Sequence, residues 1–211
     1  MPVNADSMVR EQIASRGITN PRVLAAMAKV PRCEFVPGPL VGEAYEDHPL
    51  PIGYNQTISQ PYIVALMTEL LQIQLGSRVL DVGTGSGYQA AVLAQVGAQV
   101  YSIEIVELLA AASADLLKRL GYRDIQVKQG DGYLGWPEQA PYDAIVVAAT
   151  ADHIPPPLIE QLKRGGRLVI PVGDARVPQS LLLVEKGADG KVTTRNIAPV
   201  IFVPLTREKR K

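Results

Sequence analysis

Cys33 is the only cysteine among 211 residues. Its isolation excludes an internal disulfide and a multi-cysteine metal site, and it fits a reducing compartment, the cytoplasm. Net charge is missing too: 21 lysines and arginines balance 21 aspartates and glutamates. No bulk attraction to nucleic acid or to an anionic membrane is expected from that balance. No apolar run approaches the roughly 20 residues of a membrane span. The opening stretch MPVNADSMVREQIAS is broken by Asp6, Arg10 and Glu11 and lacks the apolar segment of a secretory leader. There are two histidines, His48 and His153, no H-E-x-x-H and no Cys/His grouping, so no metal is expected. A G-x-S-x-G elbow is also lacking, which argues against a hydrolase triad built on Ser59 or Ser86. What remains is 47% hydrophobic and 20% charged, the composition of an ordinary globular core, and the expectation is a monomer with a single domain over 1–211.

Two stretches read differently. Residues 1–75 look like an N-terminal helical and loop elaboration, whereas residues 76–211 alternate short β-rich runs with helical patterns. In the first, residues 21–30 form a helix candidate, and residues 31–61 are rich in proline and glycine, as expected of a long functional loop. Ile63, Leu66, Met67, Leu70 and Leu71 then mark one face of a helix ending before Gly76. In the second, strands are expected at 78–82, 99–104, 125–129, 142–148 and 167–172. Helices are expected at 87–96, 105–120 and 156–163, with Gly97, Gly121 and Gly165 as left-handed ends. A hairpin around Gly187 to Gly190 and a last strand at 199–205 complete the pattern. The fold class is therefore α/β: a Rossmann-like, doubly wound, mostly parallel sheet with an antiparallel edge. The basic tail REKRK reads as a solvated end.

The run RVLDVGTGSGYQAA places Gly83, Gly85 and Gly87 between the first of these strands and its helix, where open α/β sheets bind ligands. Tyr88 stands where a dinucleotide fingerprint needs its third glycine, which disfavours a nicotinamide-dependent dehydrogenase. Glu104 closes the next strand, about 20 residues on, where an acid accepts hydrogen bonds from ribose hydroxyls. Gly130-Asp131-Gly132 follows the third strand and sets a carboxylate on the same edge, suited to an adenine amino group. Each signal has a plain alternative: a tight βα turn, a first-turn acid for a helix, an ordinary turn. Three at the ends of three successive strands are harder to dismiss.

These residues, with QGDGYLGWPEQAPYDAIVV and LIEQLKRGGRLVIPVG, resemble the motifs of class I S-adenosylmethionine-dependent methyltransferases. Adding RGITNPRVLAAMAKVPRCEFVP, GYNQTISQPYIVALM and FVPLT, the chain resembles the protein-L-isoaspartate O-methyltransferase family along nearly its whole length. Two departures stand out: Tyr54-Asn55 where a glycine-containing pair is commoner, and Arg164 where proline is usual. The resemblance implies S-adenosyl-L-methionine as cofactor and isoaspartyl proteins and peptides as partners, with no nucleic acid and no membrane. It implies Ser59 as the catalytic residue, Thr57 beside it on the substrate, Gln60 near the cofactor and Thr206 in the segment covering the cofactor. It implies too that the methyl ester cyclises to a succinimide and hydrolyses partly to aspartate, a repair. By spacing alone Ser59 reads as the N-cap of the helix beginning at Pro61-Tyr62.

A carboxylate with a pKa near 4 is ionised at neutral pH, so a methyl acceptor of this kind needs no base, only alignment. A hydroxyl orients such an acceptor without neutralising it. His48 and His153 read as loop hydrogen-bonding residues, Cys33 as a packed small side chain and Trp136 as a packing anchor. Methylation of a small molecule or RNA, and a non-catalytic isoaspartyl-binding module, remain as alternatives, although the absent basic stripe weighs against RNA.

Overall fold

The computed structural model describes residues 4–207. It begins with α1 (Ala5–Ser7), where Asn4 and Ser7 cap each other: the Asn4 side chain accepts from Ser7 N–H at 2.9 Å and Ser7 Oγ accepts from Asn4 N–H at 3.0 Å. A π-helical turn (Met8–Ile13) and a 3-10 turn (Ala14–Arg16) continue it and bury Met8 and Ile13. Then α2 (Pro21–Lys29) starts where Asn20 accepts from Arg22 N–H at 3.0 Å with proline in the first turn. Two short antiparallel strands, β1 (Leu50–Gly53) and β2 (Gln56–Ile58), precede α3 (Pro61–Leu70).

The core alternates β3 (Arg78–Val82), α4 (Tyr88–Val96), β4 (Gln99–Glu104), α5 (Glu107–Arg119), β5 (Gln126–Gln129), β6 (Tyr142–Val147), α6 (Pro156–Gln161) and β7 (Leu162–Val172). The hairpin of β8 (Gln179–Lys186) and β9 (Val192–Val200) ends it. One sheet runs β5-β4-β3-β6-β7-β8-β9, parallel from β5 to β7 and antiparallel beyond. This is the Rossmann-like arrangement with an antiparallel edge that the strand pattern predicts. Strand order reverses beside β3, so the crevice for a ligand falls at the carboxyl ends of β3, β4 and β6. Among the described residues, no helix is long and apolar enough to cross a membrane.

Alternation along β3 feeds two cores. Val79 joins a cluster with Met8, Met27, Val64, Met67, Leu93 and Val146, while Leu80 and Val82 join Ile103, Tyr142, Ile145, Leu158 and Ile170. Residues before and after position 75 thus share the first cluster. Loop 44–48 is tied down by Gln12, whose Nε2 donates to Tyr45 O at 2.9 Å, and by an Arg16–Asp47 ion pair at 2.9 Å.

Four expectations need correction. The buried face of α3 is Val64, Ala65, Met67 and Thr68, with Leu71 just beyond, while Ile63, Leu66 and Leu70 are only half-buried, so the packed stripe lies one position round from the apolar periodicity. The helix expected at 156–163 stops at Gln161, and Gly165 (φ +81°) sits within β7 instead of ending a helix. The register slips there, Tyr142 facing Leu162 and Ala144 facing Arg167, and a Cβ on Gly166 would lie 2.9 Å from Lys163 O. Residues 199–205 make no last strand: β9 ends at Val200, and the chain then crosses the sheet edge with a single bridge between Thr150 and Pro204. Of the basic tail, residues 208–211 lie outside the described residues, but Arg207 is bound, its Nε donating to Asp131 Oδ2 at 2.9 Å.

Candidate active site

At the carboxyl end of β3 the chain must turn sharply, and it does so on glycines: Gly83, Gly85 and Gly87 have φ of +91°, +52° and +91°. Gly83 N–H donates to Ile103 O at 2.9 Å, pinning the turn to β4. Gly87 is the N-cap of α4 and has no side chain to cap it, although Ser86 Oγ accepts from Tyr88 N–H at 3.3 Å, and the positive helix terminus faces the crevice. Glu104, 5% exposed, accepts from Gly85 N–H at 2.8 Å through Oε2 and from Val106 N–H at 2.9 Å through Oε1. A carboxylate has about four acceptor positions, so two remain for a ligand.

Below the turn lies a chain of polar groups that the spacing argument missed. Asp81 Oδ2 accepts from Ser102 Oγ at 2.7 Å, and Ser102 Oγ lies 2.6 Å from Thr84 Oγ1 in the turn itself. Asp81 Oδ1 is buried without a hydrogen-bond partner among the described residues. Burial, opposed by the Ser102 hydrogen bond and reinforced by the charge of Glu104, pushes the Asp81 carboxyl up to about 7. Its place in the LDVG run on β3 was the available signal.

Gly83, Gly85, Glu104, Gly132, Thr206, Thr57 and Ser59 line one cavity, with Ile105, Ala148 and Leu205 among its apolar walls. Gly132 has to be glycine, because a Cβ there would lie 2.5 Å from Val82 Cγ1. Gln60 is not in this cavity. It lines an adjoining cleft of about 780 Å³, and its Nε2 donates to Asp47 O at 2.9 Å. Asp131 lines neither space: Oδ1 accepts from Tyr133 N–H at 3.0 Å and Oδ2 accepts from Arg207, whose guanidinium also lies 3.5 Å above the Tyr133 ring. Cavity and cleft share Thr57, Ser59, Ala148, Val203 and Pro204. The roof is the C-terminal segment, held as Thr150 N–H donates to Val203 O at 2.8 Å and Leu205 N–H to Thr150 O at 2.7 Å.

Ser59 does not cap α3, as spacing suggested. The N-cap is Gln60, without a side-chain cap bond, and proline follows it at the first helical position. The Ser59 hydroxyl is therefore free of a helix-capping duty, while its carbonyl accepts from Arg32 Nη2 at 2.7 Å. His48 and His153 serve as loop hydrogen-bonding residues, the first beside Pro49 O and Glu46, the second beside Tyr133 and Asp152. The carbonyl of Pro49 and then the Glu46 carboxylate raise the pKa of His48. Trp136 packs edge-on against Tyr101 away from the cavity, and Cys33 Sγ accepts from Tyr45 Oη at 3.4 Å.

The chain as a whole is similar to known proteins. The family model described as protein-L-isoaspartate(D-aspartate) O-methyltransferase matches residues 3–210. A relative from Polaromonas sp., protein-L-isoaspartate O-methyltransferase 2, is 58% identical over 205 residues, which are 96% of this chain and 97% of that protein. A solved protein-L-isoaspartate O-methyltransferase superposes with a TM-score of 0.86 at 30% identity, covering 95% of this chain and 65% of its own. A Plasmodium falciparum structure described as such an enzyme in complex with S-adenosyl-L-homocysteine gives 0.82 at 27% identity, covering 97% of this chain and 99% of the other.

Proposed function

Because the chain belongs to the protein-L-isoaspartate(D-aspartate) O-methyltransferase family, we propose that Thr57 and Ser59 present an isoaspartyl carboxylate at the boundary between cavity and cleft. The chain is an S-adenosylmethionine-dependent carboxyl methyltransferase that methylates L-isoaspartyl residues and so initiates protein repair. The observation that carries the assignment of roles is the shared wall: Thr57 and Ser59 face both spaces.

The cavity residues fit the cofactor. Glu104 keeps two acceptor positions for ribose hydroxyls, Gly83 and Gly85 bring backbone close, and Gly132 leaves room that a side chain would take. Thr206 closes the roof and Gln60 borders the site from the cleft; Asp131, on the wall of neither space, would reach the adenine side only through the acceptor positions that Tyr133 and Arg207 leave free. When bound, S-adenosylmethionine supplies an activated sulfonium methyl. Ser59 Oγ–H donates to the substrate carboxylate and orients it without neutralising it. No proton has to be removed, since the acceptor is ionised already. Among the described residues lining the cleft none is acidic, so the approaching carboxylate meets no like charge.

The core shared across position 75 supports one domain over 1–211, with 1–75 an elaboration carrying the active-site loop and 76–211 the cofactor-binding core. The lone thiol supports a cytoplasmic setting, and a monomer is the working form, which size-exclusion chromatography checks.

An isoaspartyl peptide and its aspartyl twin, each incubated with methyl-labelled cofactor, test the function. The isoaspartyl α-carboxylate is one methylene closer to the backbone, and a misplacement near 1 Å costs on the order of a hundredfold in rate. The isoaspartyl peptide should take up label about a hundredfold faster and release it in mild base, as an ester does. Equal labelling of both would reject the assignment, and binding of cofactor with no labelling of either would favour the non-catalytic module.

A further inference from the structure

Arg32 is the largest fully buried side chain of the fold, with no exposed surface. Among the described residues no carboxylate pairs with it. Its Nε donates to Ala44 O at 2.7 Å, its Nη2 donates to Ser59 O at 2.7 Å, and its guanidinium carbon lies 4.8 Å from the centre of the Tyr88 ring. Nη1 is buried without a hydrogen-bond partner among the described residues. Desolvation lowers its pKa below the usual arginine value.

A buried cation without an anionic partner is a poor way to stabilise a core, because an apolar side chain of similar volume avoids the desolvation penalty. What arginine offers instead is a rigid planar edge. Nε and Nη2 span two carbonyls at once, one in loop 44–48 and one at the junction of β2 and α3, and the guanidinium lies over an aromatic ring that itself lines the cofactor cavity. The junction needs such a brace. Ser59 sits between a three-residue strand and a helix whose N-cap Gln60 makes no side-chain cap bond, so neither neighbour fixes its main chain by local capping.

We propose that Arg32 is a positioning residue for methyl transfer: by holding the Ser59 carbonyl against loop 44–48 and the cavity wall at Tyr88, it fixes the direction of the Ser59 hydroxyl. It touches neither the cofactor nor the substrate carboxylate, and its effect passes through Ser59. The inference rests on the reading of Ser59 as the residue that orients the acceptor.

Two substitutions test it. Arg32→Met keeps the apolar stem and removes the fork; Arg32→Lys keeps the charge but offers a point donor that does not span both carbonyls in one plane. With the isoaspartyl peptide, each variant should lose about tenfold or more in kcat while the Kd for S-adenosylmethionine stays within about twofold, the signature of lost alignment. Combined with Ser59→Ala, neither should lower kcat beyond what Ser59→Ala does alone, since two substitutions acting on one contact are not additive. A folded variant with wild-type kcat overturns the proposal, as do losses that multiply with those of Ser59→Ala. Failure of both variants to fold, read by circular dichroism, overturns it as well and makes Arg32 a residue of the fold alone. Absence of isoaspartyl methylation in the wild-type chain rejects the underlying activity instead, so the two failures are distinct.

Discussion

Replacing Glu104 by alanine is the most direct probe of the cofactor cavity. The carboxylate is buried, each oxygen already accepts one backbone N–H, and the charge has two acceptor positions left. A hydrogen bond to a charged acceptor contributes roughly 1.5 to 3 kcal/mol. Losing the ribose contacts should therefore weaken S-adenosylmethionine binding by about ten- to a hundredfold. Part of the loss has another origin, because Gly85 N–H and Val106 N–H would lose their partner and the glycine turn would loosen. Titration calorimetry with S-adenosylhomocysteine and with an analogue lacking both ribose hydroxyls separates the two. In the wild-type chain the analogue should bind much more weakly, whereas in Glu104→Ala both ligands should bind alike, which is the coupling that a direct contact requires. An unchanged dissociation constant in a folded variant, or an equal penalty for the analogue in both proteins, would remove Glu104 from ribose recognition.

Ser59→Ala should lower kcat at least tenfold while leaving cofactor affinity and Tm nearly unchanged, because the hydroxyl makes no helix cap whose loss would cost about 1 kcal/mol; wild-type turnover would leave the serine without a role. Asp81, raised from 3.8 to about 7 by burial, holds its proton more tightly in the folded chain than in the unfolded one. Its contribution to stability is therefore fullest at low pH and fades as pH rises between those two values. At about 1.4 kcal/mol per pKa unit, urea unfolding should show Asp81→Asn gaining on the wild type by on the order of 2 to 3 kcal/mol between pH 5 and 8, and parallel pH profiles would show that the carboxyl is not perturbed.

The parallel strands are legible because buried strands of an α/β sheet are continuous apolar runs: RVLDV and QVYSIE coincide with β3 and β4 residue for residue. The cavity follows from topology, since residues that close such strands meet at one edge, and this is why Gly83, Gly85, Glu104 and Gly132 come together. The β1–β2 hairpin hid in residues 31–61 because its turn lacks glycine at the tip; Tyr54 and Asn55 instead adopt φ of +53° and +57°, a conformation that composition does not advertise. Period 3.6 marked α3 but misjudged its packed face, because α3 packs against α2 and the π-helical turn of the elaboration as well as against α4 and β7 of the core. Arg32 carried no signal at all, since arginine is ordinarily a surface residue and only the fold shows the three segments converging on it.

The roof of the site explains why the last strand-like run is not a strand. Residues 199–205 have the apolar, β-branched character of one, yet only Pro199 and Val200 pair, as the end of β9, and Pro204 further on lacks the donor that a longer ladder needs. The chain leaves β9 at Val200 and crosses the carboxyl ends of the parallel strands, where Thr150 holds Val203 and Leu205. Arg207 then fastens it to Asp131, the acid that the strand pattern assigned to adenine. These duties are compatible. Each Asp131 oxygen accepts one protein donor, from Tyr133 N–H and from Arg207, and a carboxylate offers about four positions in all. Thr206 and Leu205 thus reach the cavity from the roof while Thr57 and Ser59 reach it from the elaboration. A ligand lodged between them is enclosed by both extensions of the sheet, which is how a Rossmann-like core shared by many chemistries acquires the selectivity of one.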